Sequence, residues 1–290
     1  MKIPSNKVND ITKYFHGELN FLYEKTEIEK FIQFCFEEFL GYSKTDLIIK
    51  KDKTVSESDL LKFHFAVKDL KRGRPIQYII GKAWFYGMEL MVTKDVLIPR
   101  PETEELVRLI IDDAKNHSES FSILDMGTGS GCIAIALKKN LSRCHVYAMD
   151  ISEEALRIAK QNAEKQNCEI HFIQGNILEK NMLENLPACT IIVSNPPYVK
   201  SSESSTMNAN VLEHEPHVAL FVPDENALVF YKAIAQAGKL KLKSGGAVYV
   251  EINEALGIET AILFQKEGFS DVQLLQDMQG KDRMIKATWK

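Results

Sequence analysis

A glycine-rich turn between a strand pattern and a helix pattern constrains the fold of this chain most strongly. Residues 121–126 are mostly apolar and predict a buried strand, and residues 132–137 have the pattern of a helix. Between them lies Gly127-Thr128-Gly129-Ser130-Gly131. A strand, a glycine turn and a helix in this order form the opening unit of a nucleotide-binding α/β sheet, because glycine lets a ligand approach the backbone. The sequence therefore predicts a ligand site at this turn.

The spacing of the glycines narrows the class of ligand. The dinucleotide-binding fingerprint requires a glycine one position further on, where this chain has Cys132. The Gly-Lys-Ser/Thr ending of phosphate-binding P-loops is also missing from the sequence. Cofactors with a pyrophosphate group, and with them the nicotinamide oxidoreductases, are therefore disfavoured.

An acidic residue follows the next predicted strand. Residues 145–149 end at Asp150, close to the distance from a glycine turn at which an acid accepts hydrogen bonds from ribose hydroxyls. Asp150 has an alternative role as a helix cap, since Asp and Ser are both good N-caps and a helix is predicted to begin near Ser152. The glycine turn before it favours ribose binding.

A rigid polar tetrapeptide, Asn195-Pro196-Pro197-Tyr198, directly follows the predicted strand at residues 191–194. The Asn195 amide oxygen and the Pro196 carbonyl are two acceptors on a backbone with little freedom. Such a pair suits a planar NH2 group, whose delocalised lone pair must be oriented before it can react. The sequence therefore predicts alkylation of an amide or an exocyclic amine, and a plain strand-to-loop turn is the alternative.

Strand and helix patterns alternate in the second part of the chain, which predicts a mainly parallel sheet covered by helices on both faces. The last two predicted strands are joined only by residues 277–281, so they must be antiparallel, because a parallel connection needs a longer crossover. A mainly parallel α/β sheet whose last two strands run antiparallel to each other is expected. The predicted strands are residues 123–126, 146–149, 170–173, 191–194, 247–252, 272–275 and 283–288.

The first part of the chain has apolar residues at helical spacing, which predicts a small helical bundle. One helix is predicted to end at Gly41 as its C-cap, and another to begin at Ser56 or Ser58 as its N-cap. The predicted apolar side of this second helix comprises Leu60, Leu61, Phe65, Val67 and Leu70.

A β-hairpin is predicted between the helices and the α/β domain. Aromatic and β-branched residues between Gly81 and Val92, with Gly87 at the bend, carry this prediction. The expected domains are a helical domain at 1–80, a hairpin linker at 81–94 and an α/β domain at 95–290.

Composition and charge disfavour several functions. The 290 residues carry a net charge of −4, so no overall positive field attracts nucleic acid, and stable nucleic acid binding is not expected. The five cysteines form no Cys-x-x-Cys pair, and His214-Glu215-Pro216-His217 lacks helical ligand spacing, so no metal is predicted. No signal peptide or membrane span is recognised, and a cytoplasmic location is expected.

Together these motifs resemble the class I S-adenosylmethionine-dependent methyltransferases. The resemblance implies a mainly parallel, Rossmann-like sheet with one antiparallel strand near its edge, S-adenosyl-L-methionine as cofactor and S-adenosyl-L-homocysteine as product. Asn176 and Ile177 stand where family members contact the adenine, although some members have an aromatic residue in place of Ile177. The implied cofactor-binding residues are Asp125, Gly127, Thr128, Gly129, Ser130, Gly131, Asp150, Asn176, Ile177 and Asn195.

Further segments narrow the resemblance to the release-factor glutamine methyltransferases, the PrmC/HemK family. The segment 96–104 looks like the one that precedes the cofactor domain in that family, and segments 74–81, 215–216, 251–252 and 280–283 match it in order. The family implies a protein substrate, the glutamine of the Gly-Gly-Gln loop of peptide chain release factors, docked with help from the helical domain. No oligomeric state follows from this, and a monomer is compatible with the sequence.

The resemblance also implies roles in the reaction. Asn195 and Pro196 hold the NH2 group during direct methyl transfer and Tyr198 packs against the amide plane, with Pro197 as part of the same substrate site.

The roles of two residues that flank the site are left open by the sequence. Arg100 and Glu102 either contact the cofactor or substrate, or anchor the helix that begins beside them. Two alternative functions also stay open, an adenine amino-methyltransferase acting on DNA or RNA and a non-catalytic binding protein on the same fold.

Overall fold

The computed structural model describes residues 5–115 and 119–290, and the chain divides into two compact units. The helical unit comprises the chain up to Lys82 together with Asn208–His214. The sheet unit comprises Ala83–Met207 and Glu215–Lys290. The short segment 208–214 therefore groups with the helical unit, although it lies inside the range 95–290 expected for the α/β domain.

Helices and strands alternate in the second part of the chain, as predicted. The α-helices are α1 (Val8–Leu19), α2 (Lys25–Leu40), α3 (Lys44–Ile49), α4 (Glu57–Leu70), α5 (Ile76–Ile80), α6 (Pro101–Ala114), α7 (Cys132–Asn140), α8 (Glu153–Lys165), α9 (Lys180–Glu184), α10 (Ala209–His214), α11 (Val229–Lys241) and α12 (Gly257–Lys266). The strands are β1 (Lys82–Phe85), β2 (Met88–Met91), β3 (Phe121–Met126), β4 (Cys144–Asp150), β5 (His171–Gln174), β6 (Cys189–Ser194), β7 (Val199–Lys200), β8 (Phe221–Val222), β9 (Leu242–Glu251), β10 (Ser270–Gln276) and β11 (Asp282–Thr288). Short 3-10 helices lie at Ser201–Thr206, His217–Ala219, Asp224–Asn226 and Glu254–Leu256.

The helical unit is a small bundle in which α1, α2 and α4 pack around a common apolar core. Helix α2 ends at Gly41 with a φ of 66°, the left-handed conformation that a C-cap glycine adopts. Helix α4 begins after Ser56, whose hydroxyl accepts a hydrogen bond from the Asp59 N–H at 3.1 Å. Both predicted helix ends are confirmed.

The predicted apolar side of α4 was wrong at two positions. Leu61 and Phe65 are 44% and 56% exposed. At 3.6 residues per turn they lie on the side of the helix opposite Phe63 and Leu70, so they cannot face the same core. The prediction counted apolar residues without requiring that they share one stripe. The buried stripe consists of Leu60, Phe63, Ala66, Val67 and Leu70.

The predicted β-hairpin is formed by β1 and β2. Its two-residue turn consists of Tyr86 with a φ of 49° and Gly87 with a φ of 72°. Two consecutive positive φ values are what the favoured type I′ hairpin turn requires. The apolar side chains of Phe85 and Leu90 are buried in the same core cluster as one face of the central sheet.

The central sheet has the strand order β10-β11-β9-β6-β3-β4-β5. Strands β9, β6, β3, β4 and β5 are parallel to their neighbours in this series, whereas β11 pairs antiparallel with both β9 and β10. This confirms the expected α/β sheet with one antiparallel strand next to its edge. The short connection after β10 leaves no room for a parallel crossover.

Helices cover both faces of this sheet. One core cluster contains apolar side chains of α6, α7 and α8, and the other contains those of α9, α11 and α12. The carboxyl ends of β3, β4 and β6 therefore meet at one edge, between the two helical layers. Within the described residues, no helix combines the length and the apolar character that crossing a bilayer requires.

Candidate active site

A cavity of about 290 Å³ lies at the carboxyl ends of β3, β4 and β6. This is the edge at which open α/β sheets bind ligands. The sequence-predicted residues that line it are Arg100, Gly127, Thr128, Gly129, Ser130, Asp150, Asn176, Ile177, Asn195, Pro196 and Pro197. The sequence-predicted residues that are not part of its lining are Glu102, Asp125, Gly131 and Tyr198.

The glycine turn presents bare backbone to the cavity. Gly127 and Gly129 have φ values of 78° and 54°, and each has open space where a Cβ would stand. The N–H groups of Gly127 and Thr128 both donate to the carbonyl of Met149, at 2.8 and 2.9 Å. These bonds hold the turn against the end of β4. Because neither glycine carries a Cβ, a ligand can approach the backbone of the turn closely.

Gly131 has a packing role instead. Its φ is 82°, and a Cβ at this position would lie 3.1 Å from the Cβ of Ala159 in α8. A side chain at the start of α7 would therefore require α8 to move by a few tenths of an ångström.

Asp125 lies beneath the turn rather than in the cavity wall. It is fully buried, and the Thr128 hydroxyl donates to its Oδ2 at 2.6 Å. Burial raises the pKa of Asp125 to about 7, while the hydrogen bond from Thr128 acts in the opposite direction. Any effect of Asp125 on a ligand is therefore indirect, because Asp125 acts by positioning Thr128.

Asp150 joins two loops at the cavity wall. Its Oδ2 accepts from the Gly129 N–H at 2.8 Å, and its Oδ1 accepts from the Ser152 N–H at 2.9 Å. Burial raises the pKa of Asp150, opposed by these backbone donors. The N-cap of α8 is Ser152, whose hydroxyl accepts from the Ala155 N–H at 3.1 Å. Asp150 is thus a cavity carboxyl group and not the cap itself.

Apolar side chains form much of the remaining wall. Leu97 lies in the segment before α6, Ile151 follows β4, and Ile177 and Leu178 follow β5. Beside the carboxylate of Asp150, these side chains form a slot that suits a ligand with one apolar planar part and neighbouring hydroxyl groups.

The amide of Asn195 is held from behind by a buried hydrogen-bond network. Asn195 Nδ2 donates to Thr103 Oγ1 at 3.1 Å, and Thr103 Oγ1 donates to Glu251 Oε2 at 2.6 Å. The Tyr198 hydroxyl donates to the other carboxylate oxygen of Glu251 at 3.0 Å. Burial raises the pKa of Glu251, opposed by the two hydroxyl donors. Tyr198 thus contacts this network, and its predicted packing against a substrate amide stays a prediction.

Arg100 forms an ion pair at the mouth of the cavity. Its guanidinium donates to Glu215 Oε1 at 2.5 Å, and the Ile98 N–H donates to Glu215 Oε2 at 3.2 Å. The Glu215 side chain is 1% exposed, whereas that of Arg100 is 32% exposed and lines the cavity. Glu215 therefore fixes the segment before α6 against the segment that begins at Pro216.

Sequence reasoning assigned no role to three residues of this site, Thr103, Glu215 and Glu251. The hydrogen-bond partners of their side chains lie 53 to 148 positions away in the chain, so no local pattern predicts the contacts. Glu215 and Glu251 belong to segments that carry the family resemblance, which was the one signal that pointed to them. Across the described residues, no group of three or more His, Cys, Asp or Glu side chains is placed to hold a metal ion.

Comparison with known families and proteins extends this picture. The family model described as the methyltransferase small domain matches residues 105–220, and the model of the PrmC N-terminal domain matches residues 21–81. A solved methyltransferase from Pyrococcus furiosus aligns with 70% of this chain and 89% of its own, with a TM-score of 0.50 and 18% identity. That likeness shows a shared fold.

Two curated relatives match over nearly their whole length. The release factor glutamine methyltransferase of Flavobacterium psychrophilum is 42% identical over 93% of this chain and 94% of its own. The enzyme of the same name from Bacteroides thetaiotaomicron is 41% identical over 97% of this chain and 99% of its own. The chain therefore belongs to the release factor glutamine methyltransferase family.

Proposed function

We propose that this protein methylates the side-chain amide nitrogen of the glutamine in the Gly-Gly-Gln motif of peptide chain release factors. The observation that carries the proposal is the pair of acceptors at Asn195 and Pro196, which line the cavity next to the glycine turn. Relatives that are 41–42% identical over almost the whole chain bear the corresponding name. The reaction is proposed to take place in the cytoplasm.

The methyl donor proposed for this cavity is S-adenosyl-L-methionine, which leaves as S-adenosyl-L-homocysteine. When bound, it supplies a methyl group on a positively charged sulfur. Asp150 is proposed to accept hydrogen bonds from the ribose hydroxyls, and Ile151, Ile177 and Leu178 to provide apolar contact for the adenine; all four line the cavity. The open space beside Gly127 and Gly129 accommodates the rest of the molecule against the backbone.

The residues that act on the substrate do so by orientation and charge. Asn195 Oδ1 and the Pro196 carbonyl are proposed to accept both N–H bonds of the carboxamide, so that its nitrogen lone pair is directed into the cavity. As the nitrogen gains a bond and positive charge, the same two oxygens stabilise that charge. Arg100, held by Glu215, flanks this position. The helical unit is proposed to dock the release factor, supported by its match to the PrmC N-terminal domain.

The test is a methyl-transfer assay with a labelled methyl donor and mass-spectrometric mapping of the modified residue. We expect one methyl group on the glutamine of the Gly-Gly-Gln motif, and none on a release factor in which that glutamine is replaced by asparagine. Adenine-containing DNA and RNA are assayed in parallel. Methyl transfer to adenine, or binding of the donor without transfer to either substrate, would contradict the proposal and support one of the alternative functions.

A further inference from the structure

The hydrogen bonds behind Asn195 have a fixed direction. Glu251 and Thr103 are 1% and 2% exposed, so their polar groups depend on each other rather than on solvent. The Thr103 hydroxyl has a single hydrogen, which it donates to Glu251 Oε2 at 2.6 Å. The Thr103 oxygen can therefore only accept from its remaining partner. That partner is Nδ2 of Asn195.

This direction decides which end of the Asn195 amide faces the cavity. The two ends of an asparagine amide have nearly the same shape, so shape alone does not fix the orientation. When the NH2 end is bound to Thr103, the carbonyl oxygen is turned to the other side. A reversed amide would present N–H donors to the N–H donors of a carboxamide, which is repulsive.

We propose that Thr103 and Glu251 are positioning residues that keep Oδ1 of Asn195 directed at the substrate nitrogen. The inference rests on the proposed function, in which that oxygen accepts from the substrate carboxamide. Tyr198 completes the arrangement, because its hydroxyl satisfies the second oxygen of Glu251. Among charged side chains, Arg283 favours the ionised form of Glu251 and Glu102 opposes it. The hydrogen-bond network therefore fixes the orientation of the Asn195 amide, which packing alone does not.

The first test is a kinetic cycle. Thr103→Val keeps the shape of the side chain and removes the hydroxyl, so we expect kcat to fall roughly tenfold with unchanged affinity for S-adenosyl-L-methionine. Thr103→Ser should restore most of the loss. In the Asn195→Ala background, Thr103→Val should cause no further loss, because there is no amide left to orient.

The matched control is Thr260→Val. Thr260 is also fully buried, and its hydroxyl donates to the Leu256 carbonyl at 2.7 Å, away from the cavity lining. This variant should lose comparable stability without the loss in kcat. An equal fall in kcat for Thr103→Val in both backgrounds would overturn the positioning role.

The second test does not depend on methyl transfer. The side-chain NH2 signal of Asn195 in a proton–nitrogen NMR spectrum is identified by its loss in Asn195→Ala. Its protons should exchange slowly with water in the wild type, and faster in Thr103→Val but not in Thr260→Val. Unchanged exchange in Thr103→Val would overturn the inference. An inactive wild type with this slow exchange would instead refute the proposed function alone.

Discussion

At the scale of single residues, the site depends on the direction in which a few polar atoms point. We expect Asn195→Ala to lower kcat by about a hundredfold, by analogy with the removal of one preorganised group that stabilises transition-state charge. Affinity for S-adenosyl-L-methionine, measured by calorimetry, should change by less than about threefold, since the substrate amide and not the cofactor is the proposed partner.

The matched variant for this prediction is Asn176→Ala. Asn176 lines the cavity where the cofactor is proposed to bind, and its Oδ1 accepts from the Leu178 N–H at 3.0 Å. This variant should weaken cofactor affinity more than it slows turnover. The assignment of Asn195 is wrong if its replacement reduces affinity and rate in step, or if activity persists.

The sequence was informative for residues whose role is local and less so for the others. The glycine turn, Asp150 and Asn195 each follow directly from a strand and lie on the cavity wall. Thr103 meets Asn195 across 92 positions and Glu251 across 148 positions, and these contacts form only because α6 and β9 come together in the folded chain. Asp125 was predicted to bind the cofactor, yet its burial beneath Thr128 is a tertiary property that the motif does not contain.

At the scale of elements, the glycine turn has a packing role and a proposed cofactor-binding role, which substitution can separate. Gly127→Ala and Gly131→Ala both force an alanine into a positive φ, which costs about 1–2 kcal/mol. At Gly131 the new methyl group also meets Ala159 at 3.1 Å, so this variant should lose more stability. At Gly127 the methyl group projects into open space at the cavity wall, so this variant should lose more cofactor affinity.

The measurements are chemical denaturation and cofactor calorimetry on both variants. Equal losses of stability together with equal losses of affinity would mean that the two glycines do not divide these roles.

The order of the sheet strands was predictable only in part, because the short connection between β10 and β11 required only that these two strands be antiparallel. The insertion of β11 between β9 and β10 depends on long-range pairing.

At the scale of the whole molecule, the buried carboxyl group of Asp125 links stability to pH. Its pKa is raised by burial from 3.8 to about 7, so the folded protein binds one proton more than the unfolded chain between these pH values. The free energy of unfolding should therefore fall as pH rises through this window and level off above it. In Asp125→Asn this contribution is removed, and the variant should gain about 1.4 kcal/mol relative to wild type for each pKa unit of the shift.

Trp84 and Trp289 are the two tryptophans of the chain, and both belong to the sheet unit, so fluorescence-monitored urea unfolding reports on it. The control is Asp277→Asn, for which the expected change of stability with pH has the opposite sign. Backbone N–H donation from Lys281 and the hydrogen bond from Arg283 lower the pKa of Asp277, so that variant should be weakened at neutral pH and match wild type in acid. An Asp125→Asn curve parallel to that of wild type would contradict the predicted link.

The helical unit carries exposed apolar side chains that a docking role would use. Ile48 and Ile49 in α3 are 72% and 75% exposed. Replacing both with serine should raise KM for an intact release factor roughly fivefold, because apolar contact area with the partner is lost. The KM for a short Gly-Gly-Gln peptide should not change. Leu240→Ser, at an exposed site on the sheet unit, is the control, and equal effects on both substrates would argue against docking by this unit.

The most direct test of the central claim is a crystal structure of the protein with S-adenosyl-L-homocysteine and a Gly-Gly-Gln peptide. We expect the glutamine Nε2 within hydrogen-bond distance of both Asn195 Oδ1 and the Pro196 carbonyl, with the Asn195 NH2 group still bound to Thr103. A glutamine amide held by other groups, or an Asn195 amide that turns its NH2 group toward the substrate, would contradict it.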